Sequence, residues 1–144
     1  MHLSEQELIR REKLQQLVEL GIDPFPAALF PVNTTAAYIK ENYKGEENKA
    51  DFAEVCLAGR IMSIRDMGKA SFAVLQDSSD RIQIYVRRDD ICPGDDKNGY
   101  DKVWKHLTDL GDIMGIKGYV FTTKTGETSV HVQELTFLTK SLKP

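Results

Sequence analysis

Met67-Gly68-Lys69-Ala70-Ser71-Phe72, followed by Leu75-Gln76-Asp77 and Arg81-Ile82-Gln83-Ile84-Tyr85-Val86, is the stretch whose reading decides the fold. Ala70 to Gln76 reads as a strand. Asp77-Ser78-Ser79-Asp80 reads as a turn, because Asp and Ser side chains bond nearby backbone and tolerate turn geometry. Arg81 to Val86 alternates cleanly: Ile82, Ile84 and Val86 take one face, Arg81, Gln83 and Tyr85 the other. Two strands around a turn therefore offer an aromatic and an amide. A glycine and a cation stand just ahead of the aromatic strand. That combination suits a small β-barrel that stacks a nucleic-acid base and holds its phosphate.

Strand patterns continue on both sides. Val55 to Ile64 is a strand in which Gly59 marks a bulge or bend. Pro93 to Gly99 is a polar loop, and Tyr100 to Leu110 a short helix anchored by Val103, Trp104, Leu107 and Leu110. Asp112 to Phe121 and Thr128 to Leu138 are strands joined by the hairpin turn Thr123-Lys124-Thr125-Gly126. The tail, Thr139 to Pro144, stops without a cap or closing element. Three strands, a helix and two strands match the OB-fold, a five-stranded Greek-key barrel that binds oligonucleotides or oligosaccharides. A parallel α/β sheet would need a helix between successive strands.

A helical extension precedes the barrel. Ser4 and Glu7 form a capping box, and Leu3 with Leu8 a hydrophobic staple. Leu8, Leu14, Leu17 and Val18 give a partial apolar stripe. Gly21 stops the helix, and Pro24 and Pro26 forbid its continuation. Arg10, Arg11 and Lys13 lie on the exposed face, either as solvated cations or as phosphate contacts beside the barrel. After a proline-rich connector over 23–31, Thr34 or Thr35 caps a second short helix, and 45–51 is a charged loop. The expected division is an extension and connector over 1–50, the barrel over 51–139, and the start of a linker over 140–144.

The 144 residues suffice for one domain with a core, and 41% hydrophobic with 28% charged residues excludes disorder over the whole length. No apolar run approaches the ~18 residues of a membrane span, and the polar, acidic start is not a secretory signal. Cys56 and Cys92 have neither metal-ligand spacing nor a disulfide framework, which fits a reducing cytoplasm. A net charge of −3 argues against sequence-blind coating of nucleic acid but leaves room for a local basic groove.

No catalytic set is visible, so a free-standing hydrolase is the weakest reading. His2, His106 and His131 are isolated, and His131 points outward between Val130 and Val132. Asp89-Asp90 is a solvated strand end or helix start, not a metal site. Phe72 is either a stacking platform or a barrel-core ring; its own alternation with Ser71 and Ala73 leaves both open. Gln83 can bond a base edge. Glu127, a poor neighbour for phosphate, would accept from a base N–H such as uracil offers. Arg65 and Lys69 occupy the loop after the first strand, a usual binding edge of this fold. Arg60, Arg81 and Lys124 complete the candidate phosphate contacts.

Together, Arg60-Ile61-Met62, Met67 to Phe72, Leu75-Gln76-Asp77, Arg81 to Asp90, Leu110 to Ile113, Lys124 to Glu127 and Leu138-Thr139-Lys140 resemble one family. It is the N-terminal anticodon-binding domain of class II lysyl-tRNA synthetases. Arg10 to Leu14 and Gly21 to Pro26 also fit it. The resemblance implies that Phe72 stacks on the central anticodon uridine, that Gln83 and Glu127 read base edges, and that Arg65 adds a contact in the same groove. It implies no cofactor in this chain. It also implies a C-terminal catalytic domain that uses ATP and Mg²⁺ to attach lysine to tRNA, in a cytoplasmic homodimer. The chain looks like an excised domain, since the class II catalytic motifs are missing from it. One departure is Asp80, which stands where the family usually has glycine, so the turn before Gln83 is expected to be tighter or shifted. Two alternatives remain: the matching domain of an aspartyl- or asparaginyl-tRNA synthetase, which also faces a central uridine, and an OB module that docks proteins.

Overall fold

The alternation along five segments closes into a barrel, which the computed structural model describes with its helices over residues 4–22 and 30–142. The strands are β1 (Val55–Asp66), β2 (Ala70–Gln76), β3 (Arg81–Arg87), β4 (Ile113–Thr122) and β5 (Thr128–Thr139). They close in the order β1-β2-β3-β5-β4, with β3 and β5 parallel and the other pairs antiparallel. Closure removes the free edges that would otherwise template aggregation. Inside lie Leu57, Ile61, Leu75, Ile84, Met114, Ile116, Val130 and Val132, all but sealed from solvent.

Irregularities mark where the barrel bends. The β1–β2 register shifts between Ile61 and Ser63, so the bulge sits at Met62 and not at Gly59. Gly59 serves a different need: a Cβ there would meet the Gln76 carbonyl at 2.6 Å. Gly118, at the second register shift of β4 against β5, leaves no room for a Cβ beside the His131 carbonyl.

Between β3 and β4 run α3 (Arg88–Ile91) and a π-helix over Gly99–Leu107. Val103, Trp104 and Leu107 anchor it as expected, but it ends at Leu107 and Leu110 is 51% exposed. Thr108 Oγ1 donates to the Val103 carbonyl at 2.8 Å, and the chain then turns away through the Asp112 carboxylate, which accepts from Asp109 N–H.

Before the barrel come α1 (Glu5–Glu19) and α2 (Ala36–Asn42). Ser4 caps α1 by accepting from the Glu7 N–H at 3.1 Å, and Gly21, at φ +81°, ends it. Leu3 of the expected staple, and Pro24 and Pro26, lie outside the described residues. The expected stripe is thin: Leu17 is buried, whereas Leu8 and Val18 are exposed. Charge does the docking that apolar area does not. Arg10, read from sequence as exposed, is 8% exposed and donates to the Ser141 carbonyl and hydroxyl. Lys13 pairs with Asp109 at 2.7 Å. The expected loop over 45–51 holds two 3₁₀ turns, Gly45–Glu47 and Lys49–Phe52, the second of which buries Phe52.

Thr35 caps α2, and the β2–β3 turn caps it a second time. Asp77 Oδ2 accepts from Ala36 N–H at 2.8 Å while its Oδ1 accepts from Ser79 and Asp80 N–H. Burial would raise the Asp77 carboxyl, but hydrogen bonds from Ser79, Ala36 and Asp80 outweigh it and hold it below the ordinary carboxylate value. A depressed folded value means stability that is present above the unfolded value of about 4 and lost as pH falls through the folded one. The melting temperature should therefore hold near neutrality and fall below about pH 4. Asp77→Asn should shallow that acid slope while costing stability at pH 7; an unchanged slope in acid-denaturation curves would contradict this.

Candidate nucleic-acid interface

Strand β2 settles which way Phe72 faces. Ser71, Ala73 and Leu75 are buried, and Phe72, Val74 and Gln76 look outward. Phe72 pairs across β1 with Arg65 and across β3 with Tyr85, while Val74 pairs with Gln83. The Arg65 guanidinium lies 5.3 Å from the centre of the Phe72 ring, and the Tyr85 ring 5.0 Å from it. Arg65, Phe72, Val74 and Gln83 line one open groove of about 260 Å³. A flat ring, a cation over it and an amide one residue pair away can hold a base by stacking, with an edge contact from Gln83.

Arg65, expected in the loop, lies on β1, which runs on to Asp66, while Lys69 is in the loop, and that loop is well fixed. Gly68 takes φ +93°, its N–H donates to Asp66, and Met67 N–H donates to the Ala70 carbonyl. Tyr100, buried in the π-helix, donates its hydroxyl to the Gly68 carbonyl at 2.9 Å and shares a 2.9 Å bond with Ser71. The helix between β3 and β4 thus holds the groove's cationic rim from behind.

Asp80 does not distort the opposite turn. Among the described residues none other than glycine has a positive φ, and Asp77 N–H donates to the Asp80 carbonyl at 3.1 Å, so the turn closes without glycine. Gln83 remains on the outward face and in the groove.

Glu127 is exposed just before β5, two residues ahead of Ser129, the partner of Gln83. Its backbone closes the hairpin turn with Thr123. It borders this face but does not line the groove with Phe72. Of the candidate phosphate contacts, Arg60 donates to the Gly111 carbonyl and Arg81 to the Gln76 side chain. Lys69 and Lys124 are exposed and form no ion pair among the described residues.

His131 points outward as its neighbours predict, but it is not isolated. Its Nε2 lies 2.6 Å from Asp90 and its Nδ1 2.9 Å from the Tyr119 hydroxyl. The sequence reading missed this cluster and the ring of Phe121 beside it. The signal was present: Tyr119 and Phe121 flank Val120, as His131 does Val132 and Tyr85 does Val86. Among the described residues, no helix is long and apolar enough to cross a membrane.

Comparison with known proteins agrees with this geometry. The chain is 59% identical over all 144 residues to the lysine–tRNA ligase of Porphyromonas gingivalis. It is 51% identical over 142 residues to that of Christiangramia forsetii, and 45% over 147 aligned positions to that of Staphylococcus epidermidis. It spans 25%, 24% and 28% of those proteins, about a quarter of their length. Residues 55–138 match the tRNA anti-codon family, described as an OB-fold nucleic acid binding domain. Since that match takes in the barrel from Val55 on β1 to Leu138 on β5, more than half of the chain, the protein belongs to this family of OB-fold nucleic acid binding domains.

Proposed function

We propose that this chain is the anticodon-reading part of a lysine–tRNA ligase and reads the anticodon of lysine tRNA. The observation that carries the reading is the outward Phe72 ring between Arg65 and Tyr85, with Gln83 in the same groove. The central anticodon uridine stacks on Phe72 beside the Arg65 guanidinium. Gln83 bonds its edge, and Glu127, from the rim, accepts a base N–H. Lys69 and Lys124, at the two loop ends of the face, take flanking phosphates, with Arg60 and Arg81 as further contacts. Stacking and phosphate contact supply affinity, and the amide and carboxylate supply discrimination.

In the proposed parent, a catalytic domain outside this chain attaches lysine to the tRNA with ATP and Mg²⁺. That enzyme works as a cytoplasmic homodimer. The barrel holds no cofactor of its own in this reading. The wide identity to lysine–tRNA ligases favours lysine tRNA over aspartate or asparagine tRNA.

Titration of the chain with a lysine anticodon stem-loop, followed by NMR, tests the reading. A second stem-loop has cytidine in place of the central uridine. Amide shifts should gather at Arg65, Phe72, Gln83 and Glu127 with uridine and weaken strongly with cytidine. Equal shifts for both, or none, would sink it.

A further inference from the structure

We propose that the outward rings of Tyr85, His131, Tyr119 and Phe121 form a second stacking surface, which takes the unpaired nucleotide next to the one on Phe72. The inference rests on the reading of the Phe72 groove as a base site and extends it across the barrel.

Cross-strand register carries it. Phe72 on β2 is paired with Tyr85 on β3, Tyr85 with His131 on β5, and His131 with Tyr119 on β4. Four strands in a row thus place a ring on one outward line. The centroids follow at 5.0, 5.2 and 4.7 Å, close to the spacing of neighbouring strands. The next register line pairs Gln83 and Phe121 through Ser129, whose own side chain is buried. Phe121 lies 6.2 Å from Tyr85 and 5.8 Å from His131.

These rings are not a hidden core. Each alternates with a residue that is: Ile84 and Val86, Val130 and Val132, and Val120 are buried, whereas the four rings are partly exposed, the His131 side chain by 18%. Its far end opens into a groove of about 660 Å³ lined by Tyr43, Lys49, Tyr119 and Phe121, within the size range of small-ligand sites. The belt is also fixed in advance. Asp90 holds His131 Nε2 from α3, Tyr119 holds Nδ1, and the Tyr119 and His131 rings stack within 18° of parallel. Rings locked by hydrogen bonds lose little freedom when a base lands on them.

Continuity with the Phe72 groove, and cations at both ends, identify the occupant as nucleic acid. Arg65 stands over the first ring, and Lys49, paired with Glu46 at 3.0 Å, lines the last groove. Arg87 continues the outward face of β3 beyond Tyr85. Stacking reads no sequence, so this surface adds affinity and fixes the path of the strand while Gln83 and Glu127 discriminate.

The test uses the 144-residue chain and lysine anticodon stem-loops in which the central nucleotide or either neighbour is abasic. Tyr85→Leu and Phe121→Leu remove rings but keep apolar bulk, and melting curves check their fold. Each should weaken binding of the complete loop roughly fivefold or more. That loss should vanish when one particular neighbour is abasic and persist when the central nucleotide is. Losses indifferent to the abasic position, or none where Phe72→Ala weakens binding, overturn the second surface and leave the first. No effect from Phe72→Ala either would overturn both. Should the variants unfold, 2-aminopurine at each neighbouring position of the loop decides on the native chain. Quenching on binding at one of them is expected, and its absence at both overturns the proposal.

Discussion

Phe72→Ala should weaken binding of a lysine anticodon stem-loop by ~1–3 kcal/mol, roughly five- to 150-fold, and leave the melting temperature almost unchanged. The asymmetry is what makes the prediction sharp. A barrel-core phenylalanine reduced to alanine costs about 3–5 kcal/mol of stability, because it leaves a cavity. Phe72 has no such role: its neighbours Ser71 and Ala73 are buried and it is not. What it holds is the ring of Tyr85 on one side and the Arg65 guanidinium on the other. An exposed cation–π contact is worth about 0.5–1 kcal/mol, so its loss moves stability little. Base stacking on the ring is worth more, about 1–3 kcal/mol. Isothermal titration and a thermal melt on the same variant check both halves. A melting temperature that drops sharply while affinity holds would return Phe72 to a packing role.

The residues differ in how far their roles could be read ahead. Ile82, Ile84 and Val86 declare their face through strict alternation, and the structure agrees. Phe72 could not, because Ser71 and Ala73 are small enough for either side; only pairing with β1 and β3 decides it. The order of strands around a helix was sufficient for the OB-fold, and Gly59 was rightly singled out, though for close approach and not for a bulge. Long-range charge was the least legible. Arg10, Lys13 and Lys140 look like solvated cations in a linear reading. Their partners are Ser141, Asp109 and Asp112, up to 131 residues away, and nothing local announces them. The belt of Tyr85, His131, Tyr119 and Phe121 did leave a local signal in its alternation with valines, but its members come from three strands, and only the Greek-key crossover brings them side by side.

Lys140 carries the largest expected loss of stability. The tail was expected to end without a closing element, yet the Lys140 side chain is 1% exposed and its Nζ meets Asp112 at 2.6 Å, Asp109 at 2.7 Å and the Leu107 carbonyl at 2.8 Å. Asp112 is itself fully buried and also accepts from Asp109 and Ser141 N–H. Around this one ammonium gather the end of the π-helix, the entry to β4, the exit of β5 and, through Lys13 on Asp109, helix α1. Lys140→Ala leaves Asp109 with Lys13 alone and the sealed Asp112 carboxylate with no cation and no water to turn to. Breaking a buried pair in this way costs about 3–5 kcal/mol, enough to lower the melting temperature by roughly 10 °C or more. Asp109 adds a pH signature. Burial pushes its carboxyl up, but bonds from Lys13 and Lys140 outweigh that and hold it below the ordinary value. With Lys140 gone that depression shrinks, so the share of stability that the native chain loses in acid should shrink too. A control separates charge from packing: Lys140→Met, which keeps the stem, should recover little, because the missing charge is the cause. Urea denaturation of both variants decides it. If methionine restores most of the loss, the stem and not the ammonium is what closes the base of the barrel.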